Sequence, residues 1–261
     1  MTPRVTTDQT ITNNSKPINR KLLKSEKVSC SGADYIWNTY DIENYGEALY
    51  VQEAGRTDGD FRKVRAMIPF EFIGMKPKDF IWNKYDCDVE AQKKIANAFI
   101  INFEKFEAKG KGLYIFSKRK GSGKTMLAAC LVNELIDTKP INAKFITALD
   151  FIELTKKGFK FEDCNDEVDT IFRTRLLVLD DIGVQMNREW VDTVLYRLIN
   201  FRMTKQLVTV FTSNMAADEL KIDERTRSRI AAMSIPLVMP EISIRDLKTK
   251  EENAEFIKEI I

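Results

Sequence analysis

The sequence predicts an α/β protein: a mainly parallel five-stranded sheet flanked by helices, preceded by a small N-terminal accessory region. Two observations carry this. From about residue 89 onward, short apolar runs alternate with helix-period segments, and parallel neighbours require helical crossovers that cover both faces of the sheet. In addition, a glycine-rich turn falls at a strand-to-helix junction, where the ligands of such sheets bind.

Along the chain, residues 1 to about 20 are rich in Thr, Asn and Ser and poor in large apolar residues, which predicts disorder. Residues 21 to 60 carry scattered aromatics (Tyr35, Trp37, Tyr40, Tyr45, Tyr50) with no long period, consistent with a small accessory unit. The stretch from Ile68 to Trp82 reads as a linker with spaced aromatics. Between Val89 and Lys109, Ile95, Phe99, Ile100, Phe103 and Phe106 recur at helical spacing, predicting one amphipathic helix. Gly112–Ser117 reads as a buried strand and Lys124–Ile136, apolar on most sides, as a core helix. A strand at Ala143–Thr147, a helix at Leu149–Lys157 and a strand at Arg175–Leu179 follow. Asn187–Met203 is a helix with Trp190, Val194, Leu195, Leu198 and Phe201 inward. A strand at Leu207–Thr212, a broken helix at Glu219–Met233 and a fifth strand at Ile235–Val238 complete the pattern. The division is therefore 1–65 for the accessory region and 66–261 for the α/β domain.

Composition narrows the chemistry. The 261 residues include 41 Lys plus Arg, 39 Asp plus Glu and no His, for a formal charge of +2. Without His there is no Ser/His/Asp or Cys/His nucleophile pair and no imidazole metal ligand. Catalysis must use carboxylates, Lys, Arg or a metal on oxygen ligands. The four cysteines (Cys30, Cys87, Cys130, Cys164) form no C-x-x-C, which argues against a zinc site and a disulfide framework. No apolar run approaches the roughly 18 residues that span a bilayer, and the polar start is unlike a signal peptide; a cytoplasmic protein without membrane contact is expected. The charge is blocked: six basic residues face two acidic ones over 1–27, and seven acidic residues face only Arg56 over 28–60. Such blocks are solvated faces or a docking surface for a charged partner.

The strongest motif is Gly121-Ser122-Gly123-Lys124-Thr125. Its glycines let backbone N–H groups curl around phosphates, and the helix start adds partial positive charge. Lys124 would reach the β and γ phosphates and Thr125 would hold Mg²⁺. The full pattern asks for Gly at 118; Lys118 stands there, which is compatible with binding if its φ is negative. A second strand, Leu176 to Leu179, ends in Asp180 and Asp181: Asp180 for the Mg²⁺ shell, Asp181 for the attacking water. Asp181 is one methylene shorter than Glu, which predicts slow hydrolysis. Thr212-Ser213-Asn214 ends another strand, where an amide can hold water or γ-phosphate, although Ser and Asn also end strands as turn residues. Arg225-Thr226-Arg227-Ser228-Arg229 is either a solvated basic face or the source of a guanidinium for a neighbouring subunit's phosphate.

In order, GSGKT (121–125), LLVLDDIG (176–183), YRLINFR (196–202), VFTSN (210–214) and ERTRSRI (224–230) resemble an AAA+ ATPase of the DnaC/DnaI/IstB group, bacterial or phage helicase loaders and their transposition relatives. The likeness runs from about residue 66 to the C-terminus. It implies Walker A at Lys124 and Thr125, Walker B at Asp180 and Asp181, sensor 1 at Asn214, the arginine finger at Arg229 and a sensor 2 arginine at Arg245. It also implies ATP and Mg²⁺ as cofactors, self-association through the ATP sites, and a replicative DNA helicase and single-stranded DNA as partners. Residues 148–174 lie where initiator-type relatives carry an extra helical element implicated in DNA binding. Lys156, Lys157, Phe159 and Lys160 offer suitable chemistry, and an ordinary amphipathic helix fits equally. With Cys30 alone before residue 87, the zinc-bearing loader domain of some relatives is excluded. Helicase docking through residues 1–65 is implied by position only. Two other readings stand beside the loader: an IstB-like transposition helper and a non-hydrolysing nucleotide-dependent adaptor.

Overall fold

The computed structural model describes residues 20–30, 33–42, 46–53, 58–158, 162–183 and 189–260. The disorder expected at the N-terminus, the helix start at Asn187, and Phe159 and Lys160 lie outside the described residues. The chain divides into two compact units, residues 1–61 and 62–261.

The first unit holds an antiparallel sheet of β1 (Arg20–Cys30), β2 (Ala33–Ile42) and β3 (Gly46–Glu53), in that order. Aromatic and β-branched residues suit these strands. The basic block enters β1 and the acidic block β2 and β3, so that Lys21 lies opposite Asp41 across the first ladder.

The helix α1 (Asp58–Arg65) leads into the second unit. There the stretch read as a linker is packed structure: three short 3-10 turns at Phe70–Phe72, Pro77–Asp79 and Trp82–Lys84, with Ile68, Phe80 and Tyr85 buried. Next come α2 (Glu90–Ile101), α3 (Phe103–Ala108) and β4 (Gly112–Phe116). The single helix expected over 89–109 is broken at Asn102, whose side chain donates to the Ala98 carbonyl while its backbone leaves helical geometry (φ −107°, ψ 28°). Phe99 and Phe103 remain on one buried face, so the hydrophobic period survives the break.

The remaining elements are α4 (Lys124–Thr138), β5 (Ala143–Thr147), α5 (Ala148–Gly158), α6 (Glu162–Arg173), β6 (Leu176–Asp180), α7 (Glu189–Thr204), β7 (Val208–Ser213), α8 (Glu224–Met233), β8 (Ser234–Val238) and α9 (Ile244–Ile260). The five strands are all parallel, in the order β5-β6-β7-β4-β8. Alternate residues divide between two cores: Leu176 and Val178 of β6 pack with α4, whereas Leu177 and Leu179 pack with α5 and α7. That period of two is what a strand buried on both faces requires. Trp190, expected to face inward, is instead 37% exposed. It sits in the first turn of α7, and helical side chains lean toward the N-terminus, which carries this one past the core layer.

Polar ties dock the 62–85 stretch onto α4. Buried Asn133 accepts from Gly74 N–H (3.2 Å) and donates to the Phe72 carbonyl (2.8 Å), and Lys63 pairs with Asp137 (2.6 Å). The result places Phe80 and Tyr85 beneath the loop that follows β4.

Candidate functional site

The carboxyl ends of β4, β6 and β7 meet the N-terminus of α4. Between β4 and α4, Gly121 and Gly123 adopt φ of 74° and 84°, the left-handed region open to glycine at low cost. Neither site has room for a side chain: a Cβ at Gly121 would lie 2.5 Å from Ser243 Oγ, and one at Gly123 about 3.1 Å from Phe80 and Tyr85. Lys118, at the position where the full motif has Gly, keeps a negative φ. Its N–H donates to Glu241 (2.8 Å) and its ammonium pairs with Glu219 (3.0 Å). The departure from the motif is thus accommodated by the backbone and bridged to two acids.

The ammonium of Lys124 is folded into the loop and buried. It donates to the carbonyls of Ser117 (3.3 Å) and Arg119 (3.1 Å) and to Ser122 Oγ (3.2 Å). Burial pulls its pKa below the ordinary lysine value, and Asp181, Glu241 and Asp180 oppose the shift. Across the cleft, Asp180 is 6% exposed and its pKa is raised, mainly by burial. Thr125 donates to it at 3.1 Å and Thr212 at 2.5 Å.

Two desolvated charges of opposite sign therefore line the cleft, each hydrogen-bonded, among the described residues, to neutral oxygens. The buried ammonium suits a phosphate and the buried carboxylate a cation, so the donor set fits a nucleotide with Mg²⁺. Among the described residues no three His, Cys, Asp or Glu side chains gather around a metal position. An ion here would be held through Thr125, Asp180, phosphate oxygens and water, as Mg²⁺ commonly is.

Asp181 follows with φ 55°, and its Oδ1 accepts from Asn214 Nδ2 (2.9 Å). Gly121, Ser122, Gly123, Lys124, Thr125, Asp180, Asp181 and Asn214 thus share one cleft. Arg245 lies at its mouth: its N–H donates to the Gly121 carbonyl (3.2 Å), and it helps line an open cavity of about 370 Å³ with Lys118, Arg119, Lys120 and Asp246. Arg229 is elsewhere. It projects from α8 toward α7, donating to Asn200 Oδ1 (3.0 Å) and the Tyr196 hydroxyl (3.2 Å) with its guanidinium 4.8 Å from the Tyr196 ring centre. These contacts are all outside the P-loop of its own chain.

Sequence reasoning missed two participants. Tyr85 donates to the Ser122 carbonyl (2.6 Å), bracing the loop from below, and burial raises its pKa. It comes from the supposed linker, and no local signal marks it. Thr212 lies inside the VFTSN run, but its contact with Asp180 depends on strand adjacency.

The sequence profile of the IstB-like ATP binding protein family matches residues 92–222, half of the chain. Curated relatives include the replicative helicase loader DnaI of Bacillus subtilis, 36% identical over 114 residues, and the replicative helicase loader DnaC of Escherichia coli strain K12, 27% identical over 121 residues. These matches cover 43% and 45% of this chain, and 36% and 49% of the relatives. The matched segment thus spans less than half the length of each of these two relatives. The crystal structure of the DnaC helicase loader superposes with a TM-score of 0.54 at 25% identity, covering 61% of this chain and 98% of that one. With the five-stranded parallel sheet, the P-loop and this profile together, the chain belongs to the IstB-like ATP binding protein family, as an AAA+ protein of the DnaC/DnaI/IstB type.

Proposed function

We propose that this chain is an ATP-hydrolysing loader of a replicative DNA helicase, with single-stranded DNA as a further partner. The observation that carries the nucleotide half is the pairing of buried Lys124 with the Thr125–Asp180 contact on opposite sides of one cleft. The names of the DnaI and DnaC relatives support the loading half.

In this reading the loop N–H groups, Lys124 and Arg245 bind the phosphates, and Thr125 and Asp180 hold Mg²⁺. Bound Mg²⁺ would neutralise charge on the β and γ phosphates. Asp181 orients the attacking water and takes its proton, with Asn214 fixing the carboxylate. Water's oxygen displaces ADP at the γ-phosphorus, and inorganic phosphate leaves. Arg229, turned away from its own P-loop, serves the site of an adjoining copy, where a guanidinium stabilises the transition-state charge. Asp181 is short and tied to Asn214, in keeping with slow, partner-regulated turnover. Residues 1–65 are the region for helicase docking, and residues 66–261 the ATPase.

The test mixes the chain with its cognate helicase, ATP and single-stranded DNA. A ternary complex that forms with ATP and is lost in Lys124→Ala is expected; no complex and no helicase stimulation would overturn the loader reading. The family match favours a second reading, a transposition helper of the IstB kind. Capture of a transposase on duplex DNA in place of the helicase would select it. Nucleotide binding without phosphate release would select the non-hydrolysing adaptor.

A further inference from the structure

We propose that Thr212 is a positioning residue for both acids at the exit of β6, one hydroxyl setting the metal-facing Asp180 and the water-facing Asp181 together; this rests on the nucleotide reading above. Thr212 is buried near the end of β7, in the strand next to β6. Its hydroxyl donates to Asp180 Oδ1 at 2.5 Å and accepts the backbone N–H of Asp181 at 2.9 Å. A hydroxyl has one proton. With that proton directed at the carboxylate, a lone pair is left for the N–H, so the two bonds are compatible and polarise each other in the same sense.

The bond to Asp181 matters because that residue has φ 55°, a left-handed conformation that costs most side chains energy, aspartate less than most, and that the surrounding hydrogen bonds hold in place. The neighbours are supplied by three successive residues leaving β7. Thr212 holds Asp180 and the Asp181 N–H, Ser213 Oγ donates to the Ile182 carbonyl (2.6 Å), and Asn214 holds the Asp181 side chain. Thr212 is the member of this set that touches both acidic residues. It therefore ties the Asp180 carboxylate to the Asp181 backbone, from which the carboxylate held by Asn214 projects, and so sets the frame of an in-line attack that tolerates little displacement.

Thr212→Val keeps the shape and removes both bonds; Thr212→Ser keeps both bonds and removes a methyl. In the full chain, Mg²⁺ is titrated against binding of a fluorescent ATP analogue, and hydrolysis is then measured at saturating Mg²⁺. The valine variant is expected to need about tenfold more Mg²⁺ for half-maximal binding and to lose about tenfold in kcat, with KM for ATP within about twofold, since hydrogen bonds to charged groups carry factors of this size. The serine variant should stay within about threefold of wild type on both readouts. A wild-type Mg²⁺ requirement and kcat in Thr212→Val overturn the proposal, as does a serine variant as impaired as valine, which would make the methyl packing the cause. If the valine variant does not fold, Thr212→Ala is judged by the same criteria. A wild-type chain that binds no nucleotide overturns the site reading and this inference with it. One that binds without turnover overturns hydrolysis alone, and the Mg²⁺ titration still decides Thr212.

Discussion

At the scale of single residues, the cleft is defined by charges that the fold has desolvated in advance. Burial holds the Asp180 pKa above the ordinary aspartate value of about 3.9. The ionised carboxylate therefore opposes folding of the empty protein. The stability associated with this group is complete below the unfolded pKa and is lost as pH rises through the higher folded value. Asp180→Asn should consequently melt above wild type at neutral pH without ligand. It should gain less than wild type from ATP with magnesium, which raises the wild-type melting temperature by mass action, because the phosphate-binding groups remain while one Mg²⁺ ligand is lost. Thermal melts with and without ligand check both halves, and a lower melting temperature for the empty variant would contradict the electrostatic account.

At the scale of elements, α7 joins separate parts of the domain. Its Tyr196 and Asn200 hold Arg229 of α8, while its Arg202, fully buried, donates to the carbonyls of Ile171, Phe172, Thr174 and Val208 and to Thr209 Oγ1. That guanidinium satisfies the last carbonyls of α6 and ties them to β7. Burial lowers its pKa to about 9, still protonated at neutral pH. Arg202→Leu leaves several buried carbonyls without donors and should cost at least about 3 kcal/mol, measurable by urea unfolding. Arg202→Lys should recover part of this, since an ammonium lacks the planar fork. The elements of the α/β unit were legible in the sequence because strands buried on both faces read as continuous apolar runs. The sheet of the first unit was not: Lys21 to Lys27 of β1 are all exposed, so that strand carries no alternation for a sequence to display. The break at Asn102 was hidden for the opposite reason, since the buried face continues across it.

At the scale of the whole molecule, the P-loop and the candidate finger arginine lie on different parts of the same unit, so hydrolysis in this reading belongs to an assembly. Lys124→Ala and Arg229→Ala should each hydrolyse ATP at least about tenfold more slowly than wild type when alone. Mixed, they should recover activity, because one supplies an intact pocket and the other an intact arginine. A phosphate-release assay across mixing ratios reads this, and a strictly additive result would place Arg229 outside the reaction. Among the described residues no helix is long and apolar enough to cross a membrane.

The order of apolar runs, the glycines at 121 and 123, the paired acids at 180 and 181 and the asparagine at 214 were determined by the sequence alone, because strand-helix alternation and phosphate cradling are local in the chain. Tertiary structure decided the rest. Parallel pairing of β6 with β7 brought Thr212 onto Asp180, packing of the supposed linker set Tyr85 under the P-loop, and α7 turned Arg229 away from its own pocket. The charge blocks of the N-terminal region became adjacent strands with Lys21 opposite Asp41. Each of these depends on residues distant in sequence meeting across a sheet or helix interface, and no periodicity within either segment records which partner it will meet.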